Sequence, residues 1–251
     1  MDIKDFLDQK YTEFCKKDFI ENDPISIPHL FCKKEDIEIA GFLTATISWG
    51  NRKMIIKNAK YLMHLMENQP FDFIQNAGNK ELNHLRKFTH RTFQSDDILF
   101  FTESLKNIYL HKNGLEHLFT IGYSQDNTVF SALKHFRASF LEIEHLKRSE
   151  KHISDVVKFS SAKRLNMFLR WMVRSDHEGV DFGLWKNIKS QDLRIPLDVH
   201  VMRIAQKLEL LERKQQDWKT VELLTSKLKE FDANDPVKYD YALFGLGISG
   251  F

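Results

Sequence analysis

The sequence predicts an all-α protein. Apolar residues recur at helical spacing along nearly the whole chain, and no stretch of any length alternates with the period of a strand. Hydrophobic residues make up 42% of the chain and only five residues are proline, which is typical of a folded globular protein. With 251 residues, the chain can bury a large core as one or two domains.

Each predicted helix in the N-terminal half has one apolar face. The first helix spans residues 2–19, and a polar connector that contains prolines follows at 22–30. Further helices are expected at residues 35–48, 52–66, 70–76, 79–87, 96–111, 114–120 and 127–146. In the helix at 35–48, for example, the side chains expected to be buried are Ile37, Ala40, Leu43, Thr44 and Ile47.

The C-terminal half continues the same pattern. Helices are predicted at residues 153–158, 161–174, 199–211, 218–231 and 236–248. The chain shows no internal repeat and no low-complexity segment, so short loops connect these helices. Residues 88–93 (FTHRTF) have no predicted role.

Residues 194–211 contain a well-defined helix start. Pro196 ends whatever precedes it, because its ring removes a backbone donor and restricts the dihedral angles of Ile195. Asp198 then falls at the N-cap, where its carboxylate can accept from an amide two or three residues later. A carboxylate held in this way stays ionised and fixed in direction, which suits both a plain cap and a catalytic acid group.

Residues 195–206 (IPLDVHVMRIAQ) resemble the signature of the helix-hairpin-helix DNA glycosylase superfamily. They are most similar to the branch that excises 8-oxoguanine, in which a Pro-x-Asp-x-His turn opens a helix and holds the catalytic aspartate. Residues 160–165 (SSAKRL) are similar to the start of the helix where bifunctional members have a nucleophilic lysine. Lys163 and Asp198 are 35 positions apart (198 − 163), a spacing closer to archaeal than to eukaryotic members. The chain also resembles a set of bacterial proteins of this length within the superfamily.

The resemblance implies that Lys163 is the nucleophile and Asp198 the catalytic carboxylate. Lys163 falls on the first turn of its predicted helix, where the helix dipole and the neighbouring Arg164 would lower its pKa. The neutral amine is the form that attacks the sugar C1′ and forms a Schiff base. Asp198 would deprotonate the lysine or stabilise positive charge on the sugar. The alternatives are a surface lysine and an ordinary N-cap.

The resemblance also implies DNA contacts near this pair. His200 would contact a phosphate near the flipped nucleotide, the alternative being an exposed histidine. The hairpin glycines that hold a phosphate in the family are missing here, since residues 157–161 read VKFSS. Either a short turn with Lys158, the capping serines Ser160 and Ser161, and the neighbouring Arg164 replaces them, or phosphate binding is weakened.

Residues 48–52 (SWGNR) lie between two apolar helices, at the position of the family loop that fills the gap left by an extruded base. Trp49 would be the wedge, and Asn51 and Arg52 would bond to the orphaned partner base. The alternative is an ordinary turn between helices with Trp49 in the core. In the base pocket, Phe244 would stack on the flipped base and Asp240 would read its edge, the alternative being a simple core helix.

The distribution of charge is more informative than the net charge of +2. Residues 145–174 contain eight basic and two acidic residues, a local charge of +6, so the rest of the chain sums to about −4. A concentration of positive charge is what phosphate binding requires, and a solvated helix face is the alternative.

Several classes of protein are not expected. Cys15 and Cys32 cannot build the four-cysteine cluster of some glycosylases, and the eleven histidines show no zinc-binding spacing, so neither a metal nor a cofactor is expected. No signal peptide is recognisable, and the longest apolar stretch, residues 40–49, is too short and too polar for a bilayer. We therefore expect a cytoplasmic, nucleoid-associated monomer without membrane contact.

The fold implied by the resemblance is a two-lobed helical glycosylase fold with an inter-lobe cleft and a helix-hairpin-helix or helix-x-helix element. Residues 35–150 would form a helical-bundle lobe, and residues 1–34 with 151–251 the second lobe. The second lobe would contain the hairpin-like element at about 153–174 and the aspartate helix at 198–211. Lys163 and Asp198 would stand on opposing walls of the cleft.

The function implied is base-excision repair of double-stranded DNA. The chain would be an N-glycosylase with associated AP (β-)lyase activity on a damaged purine, 8-oxoguanine. The alternative is a catalytically inactive DNA-binding or structural relative, and RNA or nucleotide chemistry on the same scaffold is a third possibility.

Overall fold

The computed structural model describes residues 2–251, and regular secondary structure in this range is helical throughout, which confirms the prediction of an all-α protein. The α-helices are α1 (Ile3–Phe14), α2 (Lys17–Glu21), α3 (Lys34–Thr46), α4 (Arg52–Leu65), α5 (Pro70–Asn76), α6 (Asn79–Leu85), α7 (Ser95–His111), α8 (Gly114–Tyr123), α9 (Val129–Phe140), α10 (Lys163–Val173), α11 (Val199–Lys207), α12 (Trp218–Lys229) and α13 (Tyr239–Ile248). None of the helices in the described range combines the length and the hydropathy that a membrane span requires.

The chain divides into two compact units. Unit 1 comprises Met1–Glu21 and Asp155–Phe251, and unit 2 comprises Asn22–Ser154. Residues 22–34, which the sequence analysis groups with the C-terminal region, therefore belong to unit 2. The reason is that two short 3₁₀ turns in this connector pack against α3 and α4.

In unit 1, helices α1, α11, α12 and α13 share one apolar core. The face of α11 that the sequence predicts to be apolar is the face buried there. Helix α13 approaches its neighbours closely because it contains glycines. A Cβ on Gly245 would collide with the ring of Phe14, and one on Gly247 would lie 2.7 Å from the Cβ of His200.

The core of unit 2 is rich in phenylalanine. Phe42 on α3 lies 5.9 Å from Phe101 and 5.4 Å from Phe136, measured between ring centroids. Phe119 stacks on Phe136 at 4.3 Å. Offset and edge-on ring pairs of this kind add to the free energy gained by burying the large apolar side chains.

Residues 153–158, predicted to be helical, instead form an extended segment that enters a turn at 156–159. Asp155 causes this, because its Oδ1 accepts from the amides of Val157 and Lys158 and so competes with helical hydrogen bonding. The first predicted helix, residues 2–19, is interrupted at residues 15–16, so that α1 ends at Phe14 and α2 follows as a separate helix. Other helices also end earlier than predicted. Helix α9 ends at Phe140 rather than near residue 146, and α11 ends at Lys207 rather than at residue 211. After α11 the chain turns at Glu209, whose φ is 56°.

Candidate functional site

Asp198 begins α11, as the sequence predicts. Its Oδ1 accepts hydrogen bonds of 2.9 Å from the backbone amides of His200 and Val201. The carboxylate is half-buried, and no group within residues 2–251 hydrogen-bonds to its Oδ2. One oxygen therefore holds the cap, and the other can interact with a ligand.

Lys163 is the first residue of α10 and is half-buried. Its ammonium group makes no ion pair or hydrogen bond with any group in the described range. The residue at the N-cap is Ala162, with φ 48°, so the prediction that Ser160 or Ser161 caps this helix is wrong. The Oγ of Ser160 instead accepts from the amide of Ala162 at 3.2 Å, a local hydrogen bond of the kind that serine forms in turns.

Asp240 connects these two residues electrostatically. It lies in the first turn of α13, is 6% exposed, and accepts a hydrogen bond from Nη1 of Arg170. Burial raises the pKa of Asp240 to about 7; Arg170 and Lys163 act to lower it, and the negative charge of Asp198 adds to the rise. The charges of both Lys163 and Asp198 therefore act on Asp240, and all three residues belong to unit 1.

A buried ionic network holds Asp240 in place. Nε of Arg170 lies 3.3 Å from Oδ1 of Asp181, and its Nη2 donates to the hydroxyl of Tyr241 at 3.2 Å. That hydroxyl in turn donates to Asp181 at 2.9 Å. Arg174, one turn after Arg170, donates to the other oxygen of Asp181 at 2.9 Å. Each buried charge therefore has an opposite partner and hydrogen bonds, which is the condition for such a network to be tolerated in a core.

Arg170, Asp181 and Tyr241 were not predicted from the sequence as site residues. One signal was present: Arg170 and Arg174 are four positions apart within an otherwise apolar helix, a spacing that places two cations on one side. A basic pair on a buried helix requires buried carboxylates opposite it.

The residues predicted for the base pocket already interact with other parts of unit 1. Asp240 is ion-paired with Arg170, so Oδ2 is already engaged. Phe244 is half-buried and packs against the core of unit 1, with the ring of His200 edge-on at 6.0 Å. His200 is half-buried at the first turn of α11 and does not project freely into solvent.

The basic patch predicted for residues 145–174 is largely neutralised within the fold. Arg170 and Arg174 are buried in the ionic network. Arg148 donates to the buried carboxylate of Asp97 at 2.9 Å. A count of charges along the chain therefore overstates the positive potential available to a partner here, because these cations already have acidic partners.

Lys158 and Arg164 differ in exposure. The side chain of Lys158 is 78% exposed, and its Nζ lies 3.8 Å from Oδ2 of Asp155. Arg164 is half-buried, and burial lowers its pKa to about 10. Of the two, Lys158 is the better placed to contact a phosphate.

The loop before α4, in which the sequence predicts a wedge, belongs to unit 2. Trp49 is half-buried, with His90 edge-on at 5.0 Å and His152 stacked at 5.9 Å between ring centroids. The side chain of Asn51 caps α4, accepting at 3.2 Å from the amide three residues later. Arg52 is half-buried. The wedge role of Trp49 stays a prediction, and in this structure its ring packs against two imidazoles.

The site of unit 1 combines an amine with two carboxyl groups of different character. Asp198 is held by backbone amides, and Asp240 is buried with a raised pKa. Such a set can perform nucleophilic attack by an amine together with proton transfer. Within the described residues, no three His, Cys, Asp or Glu side chains are arranged to hold a metal ion.

Comparison with known proteins assigns the chain to one protein family. Residues 23–249 match the family described as "Protein of unknown function (DUF2400)". No curated protein and no solved structure matches the chain.

Proposed function

The chain belongs to this family, and from the geometry of unit 1 we propose that it is a DNA N-glycosylase with AP lyase activity. Its substrate is double-stranded DNA that contains a damaged purine, 8-oxoguanine. The observation that supports this most is the grouping of Lys163, Asp198 and Asp240, residues drawn from three separate helix starts. Displacement at a sugar carbon requires an amine and a carboxylate, and here the amine has no ion pair within the described residues while backbone amides fix the carboxylate.

In the proposed reaction, Nζ of Lys163 attacks C1′ of the flipped nucleotide. The new N–C1′ bond forms as the glycosidic bond breaks, and the base leaves with the bonding electron pair and takes up a proton. Asp198 accepts a proton from the amine or, while it is ionised, offsets the positive charge on the sugar. Opening of the sugar ring gives an imine, and loss of a proton from C2′ then expels the 3′ phosphate.

Asp240 and its neighbours have supporting parts in this scheme. A carboxyl group that keeps its proton near neutral pH can donate a hydrogen bond, whereas an ionised one can only accept. Asp240 could therefore present either form to the edge of a base. Lys158 and His200 would contact phosphates, and unit 1 and unit 2 would correspond to the two lobes of a glycosylase fold in a nucleoid-associated cytoplasmic enzyme.

Cleavage of a lesion duplex tests the proposal. The protein is incubated with a duplex that contains one 8-oxoguanine, and released base and nicked strand are measured separately. Wild type should give both products, and D198N neither. The control D18N removes an exposed carboxylate of unit 1 and should behave as wild type. Absence of both products with wild type, on this lesion and on a panel of other damaged purines, would exclude the function.

A second candidate is a DNA-binding relative without turnover. It is favoured by the missing hairpin glycines and by the ion pair that already engages Asp240. The same assay separates the two, because this candidate predicts a protein that binds duplex DNA and releases no base.

A further inference from the structure

Helix α4 of unit 2 has a row of cations along one side. Lys53, Lys57 and Lys60 recur every three or four residues and so share one face of the helix. All three are exposed, and none forms an ion pair with any residue of the range 2–251. Helix α4 contains no Asp or Glu, so nothing within the helix compensates these charges.

The rest of α4 fixes this face towards solvent. The opposite side is buried and comprises Ile55, Ala59, Leu62, Met63 and Leu65. Rotation of the helix would expose these apolar side chains to water, which is unfavourable. The lysines therefore stay on the surface even though they repel one another.

The turn at residues 86–91 packs beside α4 and contributes two further cations. Nδ2 of Asn58 on α4 lies 2.8 Å from Nδ1 of the buried His90. Arg91 lies across the loop before α4, so close that a Cβ on Gly50 would collide with its guanidinium group. Lys87 and Arg91 are exposed and, within the described residues, form no ion pair.

We propose that this α4 basic face, defined as Lys53, Lys57 and Lys60, binds the phosphate backbone of duplex DNA, with Lys87 and Arg91 of the neighbouring turn as further cations. The three lysines span roughly 10 Å along the helix axis, and duplex DNA presents about one negative charge per 1.7 Å of its axis. The face therefore meets several phosphates at once, and its lysines act as point charges without reading bases.

The inference adds a second contact region to the proposed function and uses none of the residues assigned to chemistry. The choice of DNA among polyanions rests on the proposed function. The positive charge of the face is independent of the proposed function, because these side chains are exposed and form no ion pair within the described residues.

The test measures binding of a fluorescently labelled, undamaged duplex by anisotropy at several salt concentrations. In the variant K53Q/K57Q/K60Q, the slope of log K against log salt should fall by about 3, because three phosphate contacts are lost. The dissociation constant should rise by about tenfold or more. The variant K53R/K57R/K60R keeps the charge and should bind as wild type.

A matched control distinguishes the loss of this face from the loss of three positive charges elsewhere on the protein. The variant K16Q/K17Q/K219Q removes three exposed lysines of unit 1 that form no ion pair within the described residues, and it should leave the slope unchanged. Equal slopes for the two triple variants, or equal affinity of wild type for duplex DNA, polyglutamate and anionic vesicles, would overturn the inference. Binding of an undamaged duplex does not require base removal. The anisotropy measurement therefore tests the basic face even if the protein releases no base. Base release likewise tests the glycosylase activity even if the lysine variants bind DNA as wild type does.

Discussion

Arg170 donates a hydrogen bond to Asp240 and so joins α10, the helix that begins with Lys163, to the first turn of α13. Both partners are buried, Arg170 being 4% and Asp240 6% exposed. The position of the amine relative to this carboxyl group therefore depends on a buried ion pair rather than on a surface contact. Two of the predictions below concern this pair.

Replacement of Arg170 by methionine should lower the free energy of unfolding by about 3–5 kcal/mol, because Asp240 and Asp181 lose a buried partner. Chemical denaturation measures this loss. The double variant R170M/D240L should be less destabilised than R170M, since it removes the uncompensated carboxylate as well. The control K227M removes a surface ion pair with Glu230 and should cost at most about 1 kcal/mol. A loss in R170M no larger than in K227M would contradict the assigned role.

The stability of the protein should depend on pH through Asp240. Its folded-state pKa is about 7, against an ordinary value of 3.8, so the folded protein holds this proton more tightly than the unfolded chain. The resulting stabilisation is complete below pH 3.8 and is lost as the pH rises through about 7. Between about pH 5 and about pH 8, wild type should lose up to about 3 kcal/mol relative to D240N. Denaturation curves of both proteins at the two pH values test this, and parallel behaviour would contradict it.

Substitution of Asp198 by serine separates capping from chemistry. Serine is a good N-cap, so α11 should keep its start and the free energy of unfolding should change by less than about 1 kcal/mol. Base release should nevertheless be abolished, because a hydroxyl cannot take up the proton or offset charge on the sugar. Denaturation and product measurements on the same preparation test both parts. A serine variant that retains activity would show that Asp198 is only a cap.

The start of α11 could be predicted because it depends on local features. Pro196 and Asp198 determine it within a few residues, and the cap hydrogen bonds are those expected. The turn at 156–159 was missed because one side chain, Asp155, overrides a helical apolar pattern.

The basic patch at residues 145–174 was overestimated because a count of charges ignores ion pairs. Arg170 and Lys57 each add one positive charge to the sequence. In the fold, Arg170 is buried in an ionic network, whereas Lys57 is exposed and unpaired within the described residues. Which cations remain available to a partner depends on contacts between distant segments, such as that of Arg148 with Asp97. Spacing along the chain does not encode those contacts.

The central claim is that the amine of Lys163 bonds covalently to the sugar. Borohydride reduces an imine between protein and DNA to a stable adduct, so trapping on a duplex with 8-oxoguanine measures this step directly. Wild type should form an adduct whose peptide maps to Lys163. The variant K163Q should form none, whereas the control K214Q, which removes an exposed lysine elsewhere in unit 1, should form it. An equal yield of adduct in K163Q, or no adduct in wild type, would contradict the account.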